Sequence, residues 1–188
     1  MAVVVQWNSR GLKPNLQEVQ NIISHLSPVA LCLQETFLGD KTIQVDKGYS
    51  LFVKNPPLTG GRAHGGAGLL VRKSIPHSEI RLTTLLQAVA VRLTLYKVIS
   101  LCSLYLPPSS AVDVLELEDL LHQLPSPVVI LGDFNAHSPV WGCDSLDIKG
   151  KQVEDYIANN NLCLLNGKQT TYIHPATGSR TQDLTLHF

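Results

Sequence analysis

Apolar residues fall along this chain in short blocks with two spacings, one that suits strands and one that suits helices. Val128-Val129-Ile130-Leu131 is an unbroken apolar run rich in β-branched residues, which predicts a strand buried on both faces. Ala2 to Asn8, with Val3, Val4 and Val5 in a row, and Val29 to Gln34 predict two more. Tyr49 to Val53 and Leu69 to Arg72 also read as extended. Ala88 to Leu95 alternates Ala and Val with its neighbours, and Val98 to Tyr105 follows after the short Tyr96-Lys97 connection. The two predict an antiparallel hairpin. Short strands are expected around Leu162 to Leu165, Thr171 to Ile173 and Asp183 to Leu186.

The helical spacing recurs between these blocks. Leu16, Val19, Ile22, Ile23 and Leu26 form one stripe, predicting a helix over Pro14 to Leu26 with the proline in its first turn. Pro107-Pro108-Ser109-Ser110 breaks the chain and is expected to cap a helix running to Leu124 through Val114, Leu117, Leu120 and Leu121. Pro125 and Pro127 end it. A third helix is expected over Lys151 to Asn159, through Val153, Tyr156 and Ile157. The stretch from Gly60 to Gly68 lacks the phosphate-loop lysine, and a strand follows it rather than a helix. It reads as a flexible loop lifting into a strand. Hairpins, helices and many short strands without a repeat or linker suggest two sheets with helices outside, an α/β sandwich.

Length and charge narrow the function. The 188 residues suit one domain, and 44% hydrophobic with 16% charged residues is a globular composition. No apolar run nears the about eighteen residues of a membrane span, and the start lacks a secretion signal's basic n-region, so no membrane partner is expected. Fifteen basic and fifteen acidic side chains cancel, which argues against tight non-specific nucleic-acid binding by net charge alone. The four cysteines form no C-x-x-C pair and are expected to be buried thiols in a reducing compartment. The seven histidines show no metal-ligand spacing.

The candidate chemistry sits where strands end. Gly132 lets the backbone pass close to a neighbour, and Asp133 and Asn135, two apart, would share one side of an extended chain. A plain Gly-Asp turn is the alternative. Other predicted strands end in Trp7-Asn8, Gln34-Glu35 and Tyr105, so amide, acid, phenol and acid could gather at one lip. An all-oxygen set of that kind suits Mg²⁺, which completes its shell with water and substrate phosphates.

These stretches, in this order, resemble the endonuclease/exonuclease/phosphatase superfamily, which includes DNase I and the apurinic/apyrimidinic endonucleases. The resemblance is strongest to the endonuclease domains of non-LTR, LINE-type, jockey-like retrotransposons. It is carried by Trp7 to Leu12, Leu33 to Thr36, Leu104 to Pro108, Leu131 to His137, Val140 to Gly142, Gly150-Lys151, Asn160 to Asn166 and Thr171 to Pro175. It implies a four-layer α/β sandwich of two mainly antiparallel sheets flanked by helices, in one domain over residues 1–188. It also implies Mg²⁺, with Mn²⁺ as a substitute, held by Glu35 with help from Asn8. Tyr105 would touch the scissile phosphate, Asp133 would position or activate water, Asn135 would orient water and phosphate, and Asp183 would buttress a catalytic histidine. Thr171 would meet the DNA backbone. Arg10, Lys13, Arg62, Arg72 and Lys73 are candidate phosphate contacts among the surface charges.

The implied substrate is double-stranded DNA, nicked to a 3′-hydroxyl that primes reverse transcription. The implied partners are the rest of the polyprotein, with its reverse transcriptase, and its RNA. The domain would work as a monomer, inside the cell and in the nucleus when acting on chromosomal DNA. The family's last strand carries Ser-Asp-His, which this chain is expected to lack, being C-terminally incomplete. That loss would lower nicking by about 10²–10³. His187 does not replace that histidine by motif, and Gln182 stands where the family has an apolar residue. Two alternatives are a phosphoesterase acting on phosphoinositides or sphingomyelin, and a catalytically inactive, nuclease-derived module that binds nucleic acid or protein.

Overall fold

The computed structural model describes residues 2–39, 43–56, 62–166, 172–173, 180–181 and 183–187. A first sheet has the order β1 (Val4–Asn8), β2 (Ala30–Gln34), β4 (Ala67–Arg72) and β3 (Tyr49–Lys54). A second runs β5 (His77–Ile80), β6 (Gln87–Thr94), β7 (Val98–Tyr105), β8 (Val128–Asp133), β12 (Leu184–His187) and β9 (Cys163–Leu164). β10 (Tyr172–Ile173) and β11 (Arg180–Thr181) form a separate antiparallel ribbon. Among the described residues of the two sheets only β1–β2 and β7–β8 pair in parallel, each joined through a helix because a tight turn cannot connect parallel neighbours. These helices are α1 (Leu16–Leu26) and α2 (Val114–His122); α3 (Ile148–Asn159) follows β8.

Side-chain alternation builds the layers. In β2, Leu31 and Leu33 face outward with Val19 of α1, while Ala30 and Cys32 face inward. The inner faces meet through Cys32, Leu69 and Val71 on one side and Val89, Val91, Leu101 and Leu131 on the other. The outer face of the second sheet, with Ala90, Cys102, Leu104 and Ile130, packs on Leu117 and Leu120 of α2 and Val153 and Tyr156 of α3. The expected four-layer sandwich is therefore present, with sheets that are mixed but mainly antiparallel. At Gly132 a Cβ would run into the Leu104 carbonyl of the paired strand, so the glycine is required by close approach.

Several local expectations are corrected. α1 begins at Leu16, two residues after Pro14. α2 is capped by Asp113, whose carboxylate accepts from the backbone N–H of Leu115 and Glu116 at 3.1 and 3.2 Å, and not by the serines after the prolines. α3 starts at Ile148, earlier than its apolar stripe, because Asp147 caps it. β5 carries too few apolar residues to be seen in the sequence. Cys32, Cys102 and Cys143 are buried as expected, but Cys163 is exposed on the edge strand β9. Among the described residues no helix is long and apolar enough to cross a membrane.

Candidate active site

Register and alternation together deliver the polar strand ends to one cleft between the sheets. Asn8 pairs with Gln34 at the end of β1 and β2, and Tyr105 pairs with both Gln87 and Asp133 in the second sheet. Asn8, Gln34, Tyr105 and Asp133 share the parity of the inward-facing core residues. They converge at the same lip. The Asn8 side-chain Nδ2 donates to Glu35 Oε1 at 2.9 Å and to Asp133 Oδ2 at 2.7 Å. The Tyr105 hydroxyl donates to the same Glu35 oxygen at 3.2 Å.

Glu35 reaches the cleft by a turn and not by alternation, since the residue after the inward Gln34 would point outward. Its φ of 50° is left-handed, a conformation costly for a side chain with a Cβ and often stored at functional sites. The turn is held from both sides: Gly11 N donates to Glu35 O at 2.7 Å, and Thr36 N and Phe37 N donate to Gly66 O and Gly65 O. The glycine stretch thus serves as the brace for the glutamate. Asn135 likewise has a φ of 45°, so the extended spacing expected for Asp133 and Asn135 is corrected: the strand ends at Asp133. Asn135 N caps Asp133 Oδ1 at 2.9 Å, and its Nδ2 donates to Leu106 O at 3.0 Å.

Electrostatics suit water activation. Burial, and then the neighbouring Glu35 charge, raise the Asp133 carboxyl above its ordinary value, while the bonds from Asn8 and Asn135 and the Lys149 charge oppose the rise. Burial also lifts the Tyr105 phenol well above its usual value, helped by Glu35 and Asp133, so it stays protonated. Among the described residues no group of three or more His, Cys, Asp and Glu could hold a metal. Two carboxylates converging on the Asn8 amide nitrogen nevertheless supply hard oxygen donors, and the positive charge acting on Asp133 is that of Lys149. These donors fit a cation that needs few protein ligands and keeps its waters.

The remaining expected residues divide by topology. Asp183 immediately precedes Leu184, which pairs with Gly132, so it stands at the lip; Asn166 Nδ2 donates to its carbonyl at 2.5 Å. His187 pairs with Val129 at the other end and its ring contacts Val128 O at 3.0 Å, away from the cleft as the motif implied. Arg10 is exposed beside Asn8, its N–H donating to Asn8 Oδ1 at 3.2 Å; Lys13 and Arg62 are also exposed. Arg72 and Lys73 are corrected: β4 runs away from the lip, with Ala67 beside Gln34 and Val71 beside Ala30, so both lie at the far end. Thr171 lies outside the described residues.

Sequence reading missed Gln87, Gly65, Gly66 and Lys149. Gln87 Oε1 accepts from Gly66 N beside Tyr105, and Lys149 Nζ donates to Pro107 O at 2.6 Å. The double glycine before a strand was the available signal for the first three; nothing local pointed to Lys149.

Residues 99–187 match the model of the endonuclease-reverse transcriptase family. The chain is 28% identical over 180 residues to a "Probable RNA-directed DNA polymerase from transposon X-element" of Drosophila melanogaster, covering 94% of this chain and 20% of the relative. It is 28% identical over 170 residues to the "RNA-directed DNA polymerase from mobile element jockey" of Drosophila funebris, covering 88% and 18%. The chain therefore spans about a fifth of these curated relatives. Among solved structures it is similar to the "Endonuclease domain of TRAS1, a telomere-specific non-LTR retrotransposon", with a TM-score of 0.77 and 23% identity over 98% of this chain and 84% of that one. The resemblance read from the motifs is borne out.

Proposed function

We propose that this chain, which resembles the endonuclease domains of non-LTR retrotransposons, is a Mg²⁺-dependent endonuclease that nicks duplex DNA by phosphodiester hydrolysis. The observation that carries this reading is the Asn8 amide held between Glu35 and Asp133, with the Tyr105 hydroxyl on the same glutamate oxygen. Mg²⁺, or Mn²⁺ in its place, would be held by Glu35 and Asn8 and would supply neutralisation of phosphate and leaving-oxygen charge.

The chain's own groups do the rest. Asp133, made more basic by burial, accepts a proton from the attacking water, and Asn135 N holds its other oxygen in place. The water oxygen bonds to phosphorus as the bond to the 3′ oxygen breaks. That oxygen takes up a proton from solvent, giving a 3′-hydroxyl and a 5′-phosphate. Tyr105, which stays protonated, donates to a non-bridging phosphate oxygen. Arg10 and Arg62 contact flanking phosphates, as does Thr171, and Asp183 stands at the position that the resemblance gives to the buttress of a catalytic histidine. In the longer element the 3′-hydroxyl primes reverse transcription of its RNA by the rest of the polyprotein. The domain acts as a monomer, in the nucleus when chromosomal DNA is the target.

The test is nicking of supercoiled plasmid by purified 1–188 protein with Mg²⁺ or with EDTA, beside identically prepared Asp133→Ala and Glu35→Ala proteins. Nicking that needs Mg²⁺ and is lost in both variants is expected. Equal nicking by wild type and variants overturns the reading and favours a binding module.

A further inference from the structure

Lys149 occupies an unfavourable place for a cation unless something outside its helix uses it. It is the second residue of α3, in the first turn, where the helix dipole favours negative charge, and no acidic residue lies in that turn. Its side chain leaves the helix and is half-buried against the segment that follows Tyr105. There Nζ donates to Pro107 O at 2.6 Å. The ammonium also interacts electrostatically with the carboxylates of Asp133 and Asp147.

The segment it reaches is held by few bonds, and one of them, from Ser110 N to Pro107 O at 3.2 Å, lies within the turn itself. Pro107 and Pro108 have no N–H to give, so after Tyr105 the chain depends on bonds made to it from elsewhere. Leu106 N donates to Asp133 O at 2.9 Å, Asn135 Nδ2 donates to Leu106 O at 3.0 Å, and Lys149 Nζ takes the next carbonyl, Pro107 O. The base of α3 is itself fixed: Asp147 accepts from Gly150 N and from His137 N at 3.2 Å, and faces His137 Nδ1 at 3.2 Å. At Gly150 a Cβ would run into the His137 carbonyl, so this turn is pressed onto the loop that leaves Asp133.

We infer that Lys149 is a positioning residue for the cleavage site: it ties the Tyr105–Pro108 segment to the first turn of α3. This rests on the nuclease reading above. Ladder pairing of Tyr105 with Asp133 and the Leu106 N–Asp133 O bond already join the two strand ends, and Lys149 adds α3 to that unit, so the phenol and the carboxylate keep their spacing while substrate enters.

The experiment compares wild type, Lys149→Met, which keeps an unbranched stem without charge or donors, and Lys149→Arg. Plasmid nicking with Mg²⁺ is read as kcat and KM, and amide hydrogen exchange is followed over residues 104–113. The Met variant is expected to lose about tenfold or more in kcat with little change in KM, and Arg is expected to recover most of it. Exchange at Leu106 and Ser110, whose N–H groups donate to Asp133 O and Pro107 O, is expected to quicken in the Met variant while Leu101 to Leu104 stay protected. Unchanged exchange in that segment overturns the tie even if the plasmid is never nicked. Unchanged kcat in the Met variant of an active wild type overturns the role at the site. A wild type that does not nick overturns the nuclease reading instead, and exchange alone then decides the tie.

Discussion

Gln34 and Ser103 join the two sheets inside the sandwich: Gln34 Nε2 donates to Ser103 Oγ at 3.0 Å, with both residues fully buried. Ser103 Oγ donates in turn to Leu33 O at 3.1 Å, and Gln6 Nε2 donates to Gln34 Oε1 at 2.6 Å. Gln34 precedes the glutamate of the cleft and Ser103 lies two residues before its tyrosine. This polar bridge between otherwise apolar faces therefore sets how the half-sites on the two sheets meet. Apolar contacts alone would let the sheets slide at little cost, whereas a buried amide has few places to satisfy its hydrogen bonds.

Ser103→Ala should leave Gln34 Nε2 without its partner in a dry interior, at a cost of about 1–3 kcal/mol. Urea unfolding would show a lower midpoint with an unchanged slope. A midpoint equal to that of wild type would mean that the bridge contributes nothing to stability.

Asp133→Asn should stabilise the protein at neutral pH while abolishing nicking. Burial and the Glu35 charge raise the folded-state pKa of Asp133, so its contribution to stability is fully present below the unfolded carboxylate value and is lost as pH rises through the raised one. The variant removes the buried charge and keeps one acceptor oxygen for Asn8, at the expense of the bond from Asn135 N. Its advantage, about 0.5–2 kcal/mol at pH 7, should shrink on acidification. Melting curves from pH 7 to pH 3 test this, and a constant difference across that range would contradict it.

Gly65→Ala should damage the site through Tyr105. The glycine has a φ of 56°, and an added Cβ would lie 2.9 Å from Tyr105 Cε1 and collide with the Gln87 amide. The backbone strain costs about 1–2 kcal/mol, and displacing the ring should lower kcat by about tenfold. A fully active, fully stable variant would show that the ring is held by other contacts.

Divalent cation should stabilise the wild type and not the Glu35→Ala protein. A ligand at about a hundred times its dissociation constant adds about 2.7 kcal/mol to a folded state that alone binds it. Melting temperature followed against MgCl₂, with EDTA as reference, needs no substrate. Equal shifts in both proteins would remove Glu35 from the metal site.

The sequence by itself determined most of the strands, the three helices and the polar strand ends at Asn8, Glu35, Tyr105 and Asp133, because hydrophobic period and strand-end polarity are local properties of the chain. Val128 to Leu131 had to be a buried strand, and its Gly132-Asp133 end already marked a close approach followed by chemistry. Tertiary structure decided what local pattern cannot carry. Strand direction sent Arg72 and Lys73 to the far end, because β4 runs antiparallel to β2. Left-handed turns at Glu35 and Asn135, held by bonds from distant segments, aimed side chains that simple alternation would have sent elsewhere. Gln87 and Lys149 joined the site only through a glycine loop and a proline carbonyl far away in the chain. Periodicity records which face a residue prefers, whereas the meeting of faces depends on hydrogen bonds between segments that are neighbours only once the chain has folded.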